Sequence, residues 1–447
     1  MSLTRHPPAS LREIFSLSIP LMLTSLSFFA MIFVDRLFLS AYDLDAMTAA
    51  VNSSIVGIAL TSGLGIIGSI AEVFVGRHYG AKEYRSIGAP VWQMIWLSIC
   101  SAFIYLPFGF WGIESIFGAG RDFEAVYLRW MMLTAPVAIA YQPLAAFFIG
   151  RGKTDVIVWV ALATNVINIV LDYILIFGVE GWIAPMGIEG AAIATSFGAC
   201  FQTLIFFGLF LRKKYREKYA TLNCKFNFSL FKECVVIGFP AGVSITLELL
   251  GWSFFYEMMR ELSDNHILLA GIFQSILLLF FFFPEGLNKA VTAIVSNYIG
   301  EKREDLIPKV IRSALTLSTL AFIGALLLSP FAVDAIRLSF FNGKIGPIDH
   351  LLFGGWFVVI LYITFFEPIR TTYLALLTSY KETRYILLSG TISTVFFVLI
   401  PFKLLLTFNP SELNALMFAL LFPLGHAFLL YLRSRPLIQK PASLAAA

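Results

Sequence analysis

Four carboxylates interrupt apolar stretches of this 447-residue chain, and they are the residues best placed to do chemistry. Asp35 sits within Phe33-Val34-Asp35-Arg36-Leu37-Phe38. Asp172 follows Asn168 by four residues, Glu248 follows Pro240 by eight, and Glu367 lies within Phe365-Phe366-Glu367-Pro368. An ionised side chain inside a membrane span is costly unless it is paired, hydrated or protonated. A desolvated carboxylate holds a proton more readily than one in water. If it stays ionised, it binds a hard cation such as Na⁺ together with amide, hydroxyl and carbonyl oxygens. In either case its charge can follow an ion gradient and bias a helix arrangement that has two states. Asn168 and Asp172, four apart, share a helix face. Two of the acids fall in each half of the chain, so a carboxylate cluster is expected in each lobe. Pro20, Pro240 and Pro368 release backbone carbonyls inside their own helices and offer places to bend.

Plain ion pairing is the competing reading. Arg36 adjoins Asp35, Arg370 lies three residues beyond Glu367, and Glu285 and Lys289 stand at the i, i+4 spacing of a neutralising pair. Glu72 and Glu257 are left open between the two readings.

The elements that must position these acids follow from composition. The chain is 58% hydrophobic and 13% charged, where a soluble protein carries roughly 25% charged residues. Its mean hydropathy is +0.82, and runs such as Ile267–Pro284 approach the ~20 residues that cross a bilayer. An all-α polytopic membrane protein is expected, with twelve transmembrane helices near 14–40, 47–75, 87–112, 125–150, 155–178, 187–211, 234–258, 267–298, 308–336, 350–378, 384–407 and 411–432. The first apolar run contains Pro20 and Asp35 and lacks a small-residue cleavage site, so it reads as a span and not as a cleaved signal peptide.

Basic residues gather on alternate loops. Arg77, Lys82 and Arg85, then Arg151 and Lys153, then Arg212 to Lys218 and Lys302, Arg303 and Lys309 fall on one side. Asp43, Asp45, Asp122, Glu124 and Asp264 fall on the other. The positive-inside rule then puts both termini and the 212–233 linker in the cytoplasm.

The chain also repeats itself. Arg12-Glu13 followed by Pro20 returns as Lys232-Glu233 followed by Pro240, and Val75, Gly80 and Lys82 return as Val295, Gly300 and Lys302, all 220 residues later. Gly152-Lys153-Thr154 is echoed by Lys381-Glu382-Thr383, with the lysines 228 apart. Six spans per half give a parallel repeat: an N-lobe over 1–211, a linker over 212–233 and a C-lobe over 234–447, two six-helix bundles related by a pseudo-two-fold axis.

Other motifs carry less. Gly63-Leu64-Gly65-Ile66-Ile67-Gly68 fits a dinucleotide fingerprint, but it lies in an apolar helix with no strand before it, so close packing of small residues is expected. Gly152-Lys153-Thr154 resembles the end of a phosphate-binding loop whose first glycine is replaced by Phe147. His6, His78, His266, His350 and His426 show no ligand spacing, and Cys100, Cys200, Cys224 and Cys234 are expected to be packing residues. No enzyme, nucleic-acid partner or organic cofactor is expected.

These residues resemble the multidrug and toxic compound extrusion (MATE) family over nearly the whole chain, about residues 11–432, and within it the NorM-like branch. Pro20 with Val34-Asp35-Arg36-Leu37-Phe38 is similar to the family's opening signature, and Gly80-Ala81 to its usual Gly-Ala. Asn165, Asn168 and Asp172, with Gly187-Ile188-Glu189-Gly190-Ala191-Ala192 and Thr195, match its fifth and sixth helices. Glu248 and Glu367, the latter fourteen residues before the lysine of Tyr380-Lys381, match its seventh and tenth. The resemblance implies a MATE/MOP-type fold and a monomeric antiporter among membrane lipids, in a bacterial inner membrane, exporting small amphiphilic, often cationic compounds against Na⁺ or H⁺. It implies ion coupling at Asp35, Asn168, Asp172 and Thr195 in one lobe and at Glu248 and Glu367 in the other; Arg370, which this chain places beside Glu367, departs from that pattern and could substitute for the bound cation. The Phe280, Phe281, Phe282, Phe283 run is the expected aromatic lining for cationic substrates. A lipid-linked oligosaccharide or peptidoglycan-precursor flippase of the same superfamily is the alternative. Such a protein is expected to line its cleft with basic residues for a pyrophosphate.

Overall fold

The computed structural model describes residues 3–117, 120–341, 349–406, 408 and 410–439. Among these, twelve helices are long and apolar enough to cross a membrane: Leu11–Tyr42, Leu44–Gly80, Tyr84–Ser115, Asp122–Ile149, Thr154–Phe177, Ile188–Phe210, Phe228–Leu262, Asp264–Gly300, Glu304–Leu327, Asp349–Ser379, Thr383–Leu404 and Glu412–Gln439. We call these spans 1 to 12. The only β pairing among the described residues is an isolated bridge between Val179 and Ile183. Large apolar side chains such as Phe103, Trp159, Leu204 and Phe331 point outward. That is stable only in hydrocarbon, where helices satisfy their backbone groups internally.

Most boundaries lie close to the sequence reading, but span 2 runs on to Gly80, span 12 runs on to Gln439, and prolines interrupt spans 8 and 9. Span 9, expected to run to 336, ends at Leu327, and a separate helix occupies Ser329–Phe341. Pro330 has no N–H for the Leu326 carbonyl, so the ladder breaks there. Span 8 is interrupted at Phe281, since Pro284 cannot bond back to the Phe280 carbonyl. Spans 1 and 7 run longer than expected and continue as helix through Pro20 and Pro240.

The chain forms two compact units, one of residues 1–22 and 243–447, the other of residues 23–242. Both boundaries lie inside a span, two residues beyond Pro20 and Pro240. The 212–233 segment belongs wholly to the 23–242 unit and is strapped to it. Trp92 Nε1 donates to the Thr221 carbonyl (2.8 Å) and Trp96 Nε1 to that of Cys224 (3.0 Å). Gln93 pairs with the backbone of Lys225 and Asn227. Buried Arg151 lies 3.6 Å from the ring centre of Phe147 and 4.7 Å from those of Tyr215 and Tyr219, an aromatic enclosure that holds the guanidinium by cation–π attraction.

The internal repeat reappears in the backbone. Lys82, Gly152, Lys302 and Lys381 are all left-handed, with φ of 63°, 68°, 58° and 64°. Each closes its helix with the same pair of turn bonds, for example Lys82 N to Tyr79 O with Glu83 N to His78 O, and Lys302 N to Ile299 O with Arg303 N to Tyr298 O. These are Schellman caps. They confirm the match of Lys82 with Lys302 and correct the other: Gly152, not Lys153, is the counterpart of Lys381. A lysine in the left-handed region is a local strain that glycine avoids.

In the 23–242 unit the Gly63–Gly68 motif is helical and packs, as expected, by close approach. A Cβ added at Gly242 would meet the Gly63 carbonyl oxygen at 2.6 Å, and one at Gly238 would meet Ile67 Cα at 3.0 Å. The four cysteines form no disulfide, and only Cys234 is buried. Because a carbonyl on a packed helix cannot retreat, Gly242→Ala is expected to destabilise the protein by about 1–3 kcal/mol. Gly208→Ala, which faces open space, should be neutral or slightly stabilising. Thermal unfolding of the purified variants in detergent checks the contrast.

Candidate ion-coupling site

Asn168 and Asp172 are fully buried on one face of span 5, and Asp35 of span 1 is 8% exposed. Tyr127 of span 4 joins them. Its phenol hydrogen-bonds with Asp35, and Ser54 of span 2 and Thr195 of span 6 are within its hydrogen-bonding reach. Asp35 and Asp172 lie close enough to repel one another when both are charged. Five spans of the 23–242 unit thus converge on one polar cluster. One turn before Asn168 on span 5, Asn165 is hydrogen-bonded to Ser27.

Six buried atoms here have no hydrogen-bond partner among the described residues: Asp35 Oδ1, Thr164 Oγ1, both amide atoms of Asn168 and both carboxylate oxygens of Asp172. Buried polar atoms are nearly always satisfied. A concentration of unsatisfied oxygens around two acids is therefore a demand for a proton, water or a small cation. Two carboxylates with amide and hydroxyl oxygens are the donor set that a hard monovalent cation takes. Arg36 forms no ion pair with Asp35 among the described residues, although its charge is near enough to act on the carboxylate.

In the unit of residues 1–22 and 243–447, the acids have a different environment. Arg370, one turn after Glu367 on span 10, grips it with Nε to Oε2 at 2.8 Å and Nη2 to Oε1 at 2.5 Å. It also reaches Glu248 of span 7 at 3.4 Å through both terminal nitrogens. Nη1 stands 3.3 Å from His426 Nδ1, and His426 Nε2 is 3.2 Å from Ser389 Oγ. Phe422 lies against the guanidinium at 5.3 Å. Span 10 is π-helical over Leu361–Phe366 and becomes α-helical at Glu367, with Pro368 in its first turn. That change of pitch aims both Glu367 and Arg370 inward.

The other sequence expectations fall as follows. Glu285 and Lys289 pair at 2.9 Å, and Glu257 pairs with Arg260 at 2.8 Å, exposed. The Phe280–Phe283 run straddles the break in span 8. Phe280 is edge-on to Trp356, 6.2 Å between centres, and is part-exposed. Tyr127, Ser54, Thr164, Ser389 and His426 were not found from sequence. Only His426, an ionisable residue inside a span, carried a signal that could have marked it.

The MatE family model matches residues 20–174 and 240–405. The chain belongs to the MatE family. A probable multidrug resistance protein NorM of Bacillus cereus is 28% identical over 351 residues, covering 76% of this chain and 74% of that protein. One of the same name from Geobacillus kaustophilus is 25% identical over 349 residues, 76% of each. Among solved structures, a MATE protein crystallised in the straight conformation superposes with a TM-score of 0.82 over 100% of this chain and 98% of that one, at 19% identity. An outward-facing multidrug resistance MATE family transporter of the MOP superfamily gives 0.78 over 98% and 97%, at 18% identity. The fold expectation holds, and this MatE protein is a multi-pass membrane transporter and not an enzyme.

The unequal grip of Arg370 makes a ranking testable. Glu367→Gln removes a short, fully buried forked pair. It is expected to cost about 3–5 kcal/mol, as breaking a buried ion pair does, whereas Glu248→Gln, at 3.4 Å and with a partly exposed side chain, should cost less than half of that. Chemical or thermal unfolding of the two variants side by side gives the comparison.

Proposed function

We propose that this MatE protein is a secondary antiporter for multidrug efflux, exchanging small amphiphilic, often cationic compounds for inward Na⁺ or H⁺ by alternating access. The observation that carries the reading is the cluster of unsatisfied oxygens on Asp35, Asn168 and Asp172. A buried carboxylate pair with no ion-paired base among the described residues is tolerated when a proton or small cation neutralises it. Loading of Asp35 and Asp172 neutralises their mutual repulsion and draws spans 1 and 5 together through Tyr127 and Thr195. Unloading restores the repulsion. Pro20 and Pro240, next to the boundaries between the compact units, and Pro368, at the pitch change of span 10, are the proposed bending points. The membrane is proposed to be the bacterial inner membrane, with the basic loops and both termini cytoplasmic.

The names of the relatives support the substrate class. The flippase alternative is weaker, since mid-span Arg370 is already held by two carboxylates and offers no free charge to a pyrophosphate.

Asp35→Asn is expected to abolish drug resistance in a sensitised host while leaving expression unchanged. In proteoliposomes the same variant should lose dye efflux driven by whichever of separately imposed Na⁺ and proton gradients drives the unsubstituted protein. Undiminished efflux by Asp35→Asn would remove Asp35 from the mechanism.

A further inference from the structure

Each half of this chain carries a pair of mid-span carboxylates, yet the two pairs stand in opposite electrostatic states. Around Asp35 and Asp172, Asp35 Oδ1 and both oxygens of Asp172 lack a hydrogen-bond partner among the described residues. Around Glu248 and Glu367 the guanidinium of Arg370 is saturated. It has five N–H groups, and the structure supplies an acceptor for each: Glu367 Oε2 for Nε, Glu367 Oε1 and Glu248 Oε1 for Nη2, and Glu248 Oε2 and His426 Nδ1 for Nη1. His426 accepts through Nδ1, so its proton is on Nε2, directed at Ser389 Oγ. The ring is neutral and adds no second positive charge beside the arginine.

We propose that Arg370 is a tethered cation that permanently fills the carboxylate site of its own unit. That site then takes no exogenous ion, and coupling runs through the Asp35–Asp172 cluster alone. The proposal deepens the antiport reading and rests on it. An entering alkali ion would have to displace a forked, charge-assisted pair from Glu367, whose side chain is fully buried. It would gain in return only carboxylate oxygens that are already satisfied. Arginine suits the task because its charge persists at any physiological pH and its planar fork matches a carboxylate. A lysine, as a single charged point, would leave several of these acceptors unmet.

The test is direct binding, so it is independent of transport. In an Asp35→Asn/Asp172→Asn background, which silences the other cluster, purified protein is titrated with NaCl, KCl or guanidinium chloride at millimolar concentrations. Choline chloride holds the ionic strength constant, and thermal unfolding is the readout. The background protein is expected to show no ion-specific shift. Adding Arg370→Ala should lower its unfolding temperature in choline, and guanidinium or Na⁺ should restore ~5 °C or more. Arg370→Lys, which keeps a tethered charge, should stay unresponsive. If Arg370→Ala cannot be purified, Arg370→Ala/Glu367→Gln leaves a single acid and serves in the same titration. The proposal is overturned if the Arg370→Ala proteins respond like their background. It is also overturned if the background itself binds Na⁺ and loses that response on Glu248→Gln, or if both arginine variants fail to fold even with guanidinium present. A brace that merely ties helices together would be weakened by Arg370→Ala but not rescued by a free ion. Loss of the antiport reading would instead show in liposomes, leaving this titration unchanged.

Discussion

The cost of an uncompensated charge in hydrocarbon governs this structure. A soluble protein can turn a carboxylate toward water, but a helix crossing the membrane must find its counter-charge within reach of its own bundle. Two solutions coexist in one chain. Glu248 and Glu367 are answered from within by Arg370, itself passed on to His426 and Ser389. Asp35 is met by the Tyr127 phenol and feels the charge of Arg36, while neither oxygen of Asp172 has a hydrogen-bond partner among the described residues. The first arrangement is complete as it stands. The second leaves buried oxygens unmet, and in the proposed antiport a proton or an ion completes it.

The backbone serves the same constraint. Proline in a span leaves a carbonyl unpaired, which is tolerable where the helix is covered by neighbours and bends there at low cost. Pro20 and Pro240 lie two residues before the boundaries of the compact units. The segment after span 6 is bound to the 23–242 unit by two tryptophans, a glutamine and the Arg151 enclosure. The repeat places a proline in each half next to these boundaries, which is why the bending points are proposed there and not in that segment.

Much of this was legible in the residues alone, for reasons that can be stated. Span number followed from hydropathy because every span must be apolar, and Asp35, Asn168 and Asp172 stood out because polarity there is expensive. The repeat showed through Gly80 and Lys82 because a Schellman cap constrains its left-handed residue. The same cap misled at Lys153, since the left-handed place is filled by glycine in one repeat and by a strained lysine in the other, and a shared letter was taken for a shared place. Tyr127 and Ser54 are unremarkable within their own helices, and only the packing of five spans brings them to one site with Asp35 and Thr195. The ninth span was drawn too long because a hydropathy window does not register the hydrogen bond that Pro330 cannot make.

The contacts of Arg370 also differ in kind, and the difference bears on which of them can change. Glu367 and Arg370 are three residues apart on one helix, so their forked pair is local and survives any rearrangement that leaves span 10 intact. Glu248 comes from span 7, and its two contacts at 3.4 Å exist only while spans 7 and 10 remain packed. Where Ser244 passes Gly390, a Cβ on the glycine would lie 2.7 Å from the serine hydroxyl, so span 7 is also wedged against span 11 by a residue with no side chain to yield. A shift of span 7 beyond Pro240 would therefore break the Glu248 contacts first and leave Arg370 still neutralised by Glu367. The one acid then uncovered is Glu248, whose side chain is already part-exposed and can be hydrated without stripping the arginine of its partner.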